Sequence, residues 1–330
     1  MTFPPSRISV VVTTYNWPQA LEKVLRALAR QTLLPAEVIV ADDGSGEDTR
    51  ACLQRMAAGY PVPLRHCWQE DTGFRVARAR NLAIASASGD YVVLLDGDMV
   101  PHPSFLADHA AIARHGHFVQ GSRVLTTPGV RDRLLAADFL WPSLFDRALG
   151  KRRHTLRLPA IAHAWAWLGT RWSDAGIKTC NQGWWREDLV ALNGFDERYV
   201  GWGREDKDLA VRALHLGLGC RPMRFAGLAA HLHHPERHDE GASPNDGLLD
   251  ETRADPRRIR SLIGLDSHPH TPASVPPDLR GLSSHAIPDG IPVHQPPIAA
   301  VGCTQASQAV AVQTGRHRIA SLPEQYPRHR

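Results

Sequence analysis

An α/β fold on a mostly parallel sheet is what this 330-residue chain predicts, and three observations lead there. Short apolar runs that read as buried strands alternate with helical stretches through the first 125 residues. The run EVIVADDGS ends in acids, glycine and serine, at the kind of strand exit where open α/β sheets bind ligands. The run YVVLLDGDMVP does the same with two carboxylates, Asp96 and Asp98, following residues apolar enough to be buried on both faces of a sheet.

Taken in order, ISVVVTT (residues 8–14) predicts the first strand, and LEKVLRALARQ follows as a helix with Leu21, Val24, Leu25 and Leu28 on one face. EVIVADDGS (37–45) is the second strand and EDTRACLQRMAAG the second helix. LRHCWQ (64–69) and VARARNLAIASASG supply a third pair before the strand that carries Asp96. This alternation implies parallel strands joined by right-handed crossovers. FVQGSRVL (118–125) predicts one further strand. From about 126 to 180 the periodicity loosens into an insert holding Trp141, Trp165, Trp167 and Trp172 beside Lys151, Arg152 and Arg153. Pattern returns with WWREDLVALNGFDE, a short helix closed by Gly194, then with EDKDLAVRALHLG, a helix with Leu209, Ala213 and Leu216 in register, and with RFAGLAAHL as a strand. Beyond about 242, proline, serine and histidine accumulate without a period, as in SHPHTPASVPPD, which predicts a disordered tail over 242–330.

A hydrophobic content of 43% supports a substantial core. The formal charge of +4 is a mild basic balance that suits an anionic substrate or a membrane surface. Five scattered cysteines without CxxC spacing indicate neither a disulfide framework nor a zinc ribbon, and point to a reducing compartment. The first apolar run is too short for a signal peptide and no stretch has the length of a spanning helix, so the expected location is cytoplasmic.

Three constellations carry chemistry. Asp96 and Asp98, one residue apart at a strand exit, can both turn toward a divalent cation that also binds a diphosphate. GWGREDKD places Glu205 and Asp206 at the head of a helix, where acids complement the helix dipole and where a carboxylate can also take a proton. AAHLHHPERH offers His231, His233 and His234 after a strand, and imidazole is an acceptable manganese ligand. Alternation puts His231 and His233 on one face if the strand persists, whereas a turn before Pro235 presents His234. For the aromatic, basic insert, core packing is the expected use of the tryptophans, and a membrane-facing surface is the other.

In their order, TTYN (13–16), VADDGS (40–45), ARN (79–81) and LLDGDM make the chain resemble the family 2 glycosyltransferases of the GT-A fold, over roughly residues 6–236. That resemblance implies a Rossmann-like, mostly parallel sheet flanked by helices, and a nucleotide-sugar donor. It places Thr13, Tyr15, Asp42 and Asp43 near base and ribose, Arg80 near the nucleotide, and Asp96 with Asp98 as the DxD-type motif. More narrowly, the GWGxED segment resembles the carboxy-terminal part of β-1,4-galactosyltransferases and bacterial chondroitin-type polymerases. By that likeness Asp206 is the catalytic base, Glu205 and Trp202 hold the acceptor sugar with Asn181 and Trp184 near it, and a histidine, His231 ahead of His234, completes a metal site with Asp96 and Asp98. The implied organisation is a nucleotide-sugar-binding half over 1–125, an acceptor-binding and catalytic half over 126–241, and the tail. The implied reaction is inverting, metal-dependent transfer of a hexose or N-acetylhexosamine from a UDP-sugar, with Mn2+ or Mg2+, to a saccharide or lipid-linked saccharide in bacterial surface polysaccharide synthesis. No nucleic-acid partner is expected; peripheral contact with the inner membrane face is. The alternatives are a sugar-phosphate nucleotidyltransferase, whose Gly-rich, lysine-bearing loop is absent, and a non-catalytic saccharide-binding module.

Overall fold

A computed structural model of the chain describes residues 4–138, 141–143, 145–235 and 243–268. The first half follows the expected alternation: β1 (Ile8–Thr14), α1 (Pro18–Leu28), β2 (Glu37–Asp42), α2 (Glu47–Ala57), β3 (Leu64–Trp68), α3 (Val76–Ser86) and β4 (Tyr91–Asp96). It continues through β5 (Met99–Pro101), α4 (Phe105–Ile112), β6 (His117–Gln120), β7 (Val124–Leu125), α5 (Pro128–Ala136) and α6 (Pro159–Leu168). The rest comprises β8 (Asn181–Trp185), α7 (Arg186–Ala191), α8 (Glu205–His215), β9 (Gly219–Pro222), β10 (Ala229–His231) and α9 (Asp246–Ala254).

Seven strands form the main sheet in the order β3-β2-β1-β4-β8-β6-β9, and a small sheet runs β5-β10-β7. Strands β1 to β4 pair in parallel, while β8 runs antiparallel to both β4 and β6. The α/β, mostly parallel architecture expected from the sequence is therefore the one observed. Because successive side chains alternate across a strand, Val10, Val12, Val38, Val40, Val93 and Leu95 pack with α1 on one face, and Val11, Ile39, Ala41, Val92 and Leu94 pack with α3 on the other. Continuous apolar runs are thus explained by burial on both faces.

Four expectations change. FVQGSRVL is two strands in different sheets, because the chain turns at Gly121, where a Cβ would lie 2.2 Å from the Asn181 carboxamide. Trp184 and Trp185 belong to β8 rather than to a helix: they point to opposite faces, Trp184 stacked on Phe118 at 4.3 Å and Trp185 edge-on to Tyr91 at 5.4 Å. A pair of this kind is worth about 0.5–1.5 kcal/mol beyond burial. Of RFAGLAAHL only Ala229–His231 is strand, since Phe225 and Gly227 both have positive φ. The ordered chain also outlasts the boundary expected at 242, for α9 packs on α8 and the described structure continues to residue 268. Residues 269–330, the rest of the expected tail, lie outside the described residues.

Candidate active site

The acidic turn after β4 is fixed by a close approach of main chains. Gly97 donates its N–H to Thr13 O at 2.7 Å, and a Cβ there would sit 2.5 Å from that oxygen, so the turn needs glycine. This tethers the exit of β4 to the exit of its neighbour β1 and aims Asp96 and Asp98 apart. Asp96 accepts the Thr13 hydroxyl at 3.0 Å and pairs with Arg80 at 3.3 Å.

Asp98 turns to the small sheet. There β5 and β10 pair antiparallel with Met99 opposite His231, and Leu232 N–H donates to Asp98 O at 2.8 Å. The pairing brings His231 Nε2 to 3.3 Å and His234 Nε2 to 3.1 Å from Asp98 Oδ2. One ligand atom from each of the three lies within 4.8 Å of the others, the spacing of a metal site. Burial acts against charge on Asp98, but hydrogen bonds and charge from the two histidines outweigh it and hold the carboxyl below its usual range. Asp98 Oδ1 is buried without a hydrogen-bond partner among the described residues. An orphaned carboxylate oxygen beside two imidazoles fits a divalent transition metal. His231 and His234 both join this cluster; His233 does not, because β10 ends at His231 and the alternation stops there. Asp96, expected as a further ligand, is outside the cluster and faces Arg80 instead.

The second acidic turn is Gly201-Trp202-Gly203-Arg204, with positive φ at both glycines and, unusually, at Arg204 (φ 81°). It feeds α8, whose first residues are Glu205 and Asp206. Arg80 reaches Glu205 at 3.0 Å, so one buried guanidinium, stacked 5.3 Å over the Phe195 ring, joins the two acidic turns. Removing one partner from such a buried pair typically costs about 3–5 kcal/mol. Glu205 Oε2 is buried and has no partner among the described residues. Asp206 is pushed up to about 7 by burial and by the Glu205 charge, against the pull of Arg80. Trp202 stands 52% exposed at the tip of the turn.

Of the remaining predicted residues, Tyr15 is half-exposed with its hydroxyl on Asp71 at 2.9 Å. Asp42 is buried, accepting Ser45 N–H at 2.8 Å and lying 2.9 Å from His66 Nε2. Asp43, buried, accepts Arg75 N–H at 2.9 Å and the Gln69 amide. Asn181 and Trp184, expected beside the acceptor, are not at the surface. Both are fully buried; Asn181 donates to Ser122 O and Gly227 O at 3.0 Å and meets His109 Nε2 at 2.9 Å, tying the two sheets together. They are corrected to structural residues.

Sequence reasoning missed the support of the second turn. Asn245, buried, donates to Gly203 O at 2.9 Å and Val200 O at 3.2 Å, and Asp246 holds the Arg204 guanidinium. Thr252 of α9 donates to Asp208 at 2.8 Å, and Asp208 holds Arg212 at 2.8 Å. The residues 243–268 thus form a strap over the turn. The signal was present in NDGLLDETRA, an Asn before a short amphipathic run, but the surrounding composition concealed it.

The family model "Glycosyl transferase family 2" matches residues 9–171, and "N-terminal domain of galactosyltransferase" matches 162–235. Validoxylamine A glucosyltransferase of Streptomyces hygroscopicus subsp. limoneus is 31% identical over 229 residues, covering 62% of this chain and 47% of that protein. Chondroitin synthase of Pasteurella multocida (strain Pm70) is 26% identical over 248 residues, covering 71% of this chain and 25% of that one. The chain spans half or less of the length of these curated relatives. Among solved structures, S. aureus TarS 1-349 in complex with UDP-GlcNAc aligns with a TM-score of 0.49 at 17% identity, over 74% of this chain and 64% of that one. The two matches together run from residue 9 to 235, across both acidic turns and the histidines, so this chain carries a glycosyltransferase family 2 domain over residues 9–171 and a galactosyltransferase-like segment over 162–235.

Proposed function

We propose that the protein is an inverting glycosyltransferase, dependent on a divalent cation, that moves a hexose or N-acetylhexosamine from a UDP-sugar to a saccharide acceptor in surface polysaccharide synthesis. The observation that carries this reading is the pair of unpartnered buried oxygens, Asp98 Oδ1 and Glu205 Oε2, on two turns that a single guanidinium joins. Unsatisfied carboxylate oxygens are unfavourable in a folded protein unless a ligand completes them.

Asp98, His231 and His234 would hold the cation. Bound there, it would neutralise charge on the diphosphate as it leaves. Thr13, Tyr15, Asp43 and Arg80 would line the nucleotide side, with Asp42 bracing the turn from behind. Trp202, on its exposed turn, offers an aromatic face to the apolar side of a pyranose, and Glu205 Oε2 accepts a sugar hydroxyl. Asp206 takes the proton of the attacking hydroxyl. The acceptor oxygen bonds to C1 as the bond from C1 to the diphosphate breaks, and one displacement from the opposite face inverts the anomeric centre. A carboxyl with proton affinity near neutrality suits that task, because a base works best close to the operating pH. Arg80, paired with both Asp96 and Glu205, fixes the distance between the donor and acceptor turns.

The test is UDP release from a panel of UDP-sugars with manganese and a saccharide acceptor. Asp206→Asn should lower transfer by about 10²–10⁴-fold while leaving manganese-dependent UDP binding near wild type. Loss of UDP binding in that variant would remove Asp206 from its role. Pyrophosphate release from UTP by the wild-type protein would instead point to a nucleotidyltransferase.

A further inference from the structure

The insert holds a surface the transfer reaction does not use. Helix α6, PAIAHAWAWL, is apolar but for His163, yet only Ala162 and Ala166 are buried. Trp167 is 65% exposed and Leu168 76%, with Trp172 just beyond at 64%. Helices apolar on every side normally lie in a core or a lipid environment. Core packing, the expected use of these tryptophans, holds for Trp141 alone, which lies against the main core.

The charge around this face is of one sign. From Arg147 to Trp172 there are six arginines and lysines and no aspartate or glutamate. Arg157 is taken by Asp108 at 2.6 Å, but Lys151, Arg152 and Arg153 are exposed and have no acidic partner among the described residues. Basic run and apolar helix are neighbours in space: Arg224 lies 5.0 Å over the Trp165 ring, and His154 is held down to about 4 by burial, then by Arg153, Lys151 and Arg224.

We propose that the α6 face, with the Lys151–Arg153 run beside it, docks on an anionic lipid surface. Tryptophans on a short apolar helix settle at the boundary between headgroups and acyl chains, and adjacent cations are drawn to anionic headgroups. No described helix is long and apolar enough to cross a membrane, and α6 has 10 residues, so it lies in the surface plane. Charge argues against the other occupants. Two copies meeting through this face would oppose cation to cation. Residues 269–330 contain five arginines against three acids and do not complement it.

The experiment is cosedimentation of the full chain with phosphatidylcholine vesicles made with and without phosphatidylglycerol. Binding should require phosphatidylglycerol and fall at high salt. Lys151→Glu/Arg152→Glu/Arg153→Glu and, separately, Trp167→Ser/Leu168→Ser should each weaken it by about tenfold or more. All five side chains are exposed, so circular dichroism and UDP-sugar hydrolysis should match wild type. No binding to either vesicle overturns the proposal, as does binding that neither variant weakens. A dimer in light scattering that Trp167→Ser/Leu168→Ser dissolves, without vesicle binding, assigns the face to a second copy. Vesicle binding that appears only after residues 269–330 are deleted assigns it to the tail; either result rejects the proposal.

Discussion

The two acidic turns are built alike and titrate in opposite directions. Each offers one carboxylate to Arg80, Asp96 at 3.3 Å and Glu205 at 3.0 Å, and each has a second carboxylate that makes no ion pair with it among the described residues. Of those second carboxylates, Asp98 sits between two imidazoles and is held below its usual range, whereas Asp206, half-buried beside Glu205, is pushed up to about 7. Environment alone thus divides two aspartates into one that stays ionised, as a cation ligand must, and one that binds and releases a proton near neutrality. Their supports differ too. The first turn is tied to the central sheet through Gly97 and Thr13; the second is held by Gly201 N–H on Phe74 O and by Asn245 at the head of α9.

The largest expected effect falls on the first turn. Asp98→Ala removes the carboxylate from the three-member cluster, and manganese affinity measured by calorimetry should fall by about 100-fold or more, with manganese-dependent UDP binding lost. Unchanged manganese affinity would end the claim that the two turns are divided between cation and proton. A smaller effect belongs to the strap. Asn245→Ala leaves the carbonyls of Val200 and Gly203 without their donor, which should destabilise the fold by about 1–3 kcal/mol and disorder the second turn. In kinetics, kcat/KM for the acceptor should drop by about tenfold while acceptor-independent UDP-sugar hydrolysis changes little. If both fall together, the strap holds the whole domain rather than the acceptor turn. Asn245→Asp, which keeps the shape but loses the donor, separates packing from hydrogen bonding.

How much of this was readable in advance follows the same division. Strands β1 to β4 and their helices appear as plain apolar periods, because a doubly covered parallel sheet needs continuous apolar strands and each helix packs through one stripe. The association of Asp98 with the histidines rested on resemblance rather than on any pattern: β5 and β10 have only 3 residues each, too few for a period to emerge. Trp184 misled because an aromatic close to Asn181 looks like a binding surface, and only the antiparallel insertion of β8 buries it against Phe118. Asn181 misled for a related reason, since a buried amide that ties two sheets together has the same sequence appearance as one that binds sugar. The insert gave the reverse error, with exposed tryptophans read as core. In each case the deciding contact spans dozens of residues, such as the 46 between Asn181 and Gly227, and no local window contains it.

The smallest effect is also the most specific to the comparison, because it changes a proton affinity and little else. Asp206 has a folded-state pKa near 7 against an ordinary 3.8, so its protonated form is favoured by folding. The sign follows: stability contributed by this group is greatest at low pH and is lost as pH rises between those values, while a base must be ionised to act. The rate should therefore climb with pH and level off above about 7, the acid limb of kcat/KM reporting the free enzyme. Glu205→Gln keeps the side chain's shape and its hydrogen-bonding oxygen but removes the negative charge that helps raise Asp206. The acid limb should move to lower pH in that variant. A limb that stays in place would show that burial alone sets the proton affinity of Asp206, and one that disappears would mean that Glu205, not Asp206, is the group being titrated.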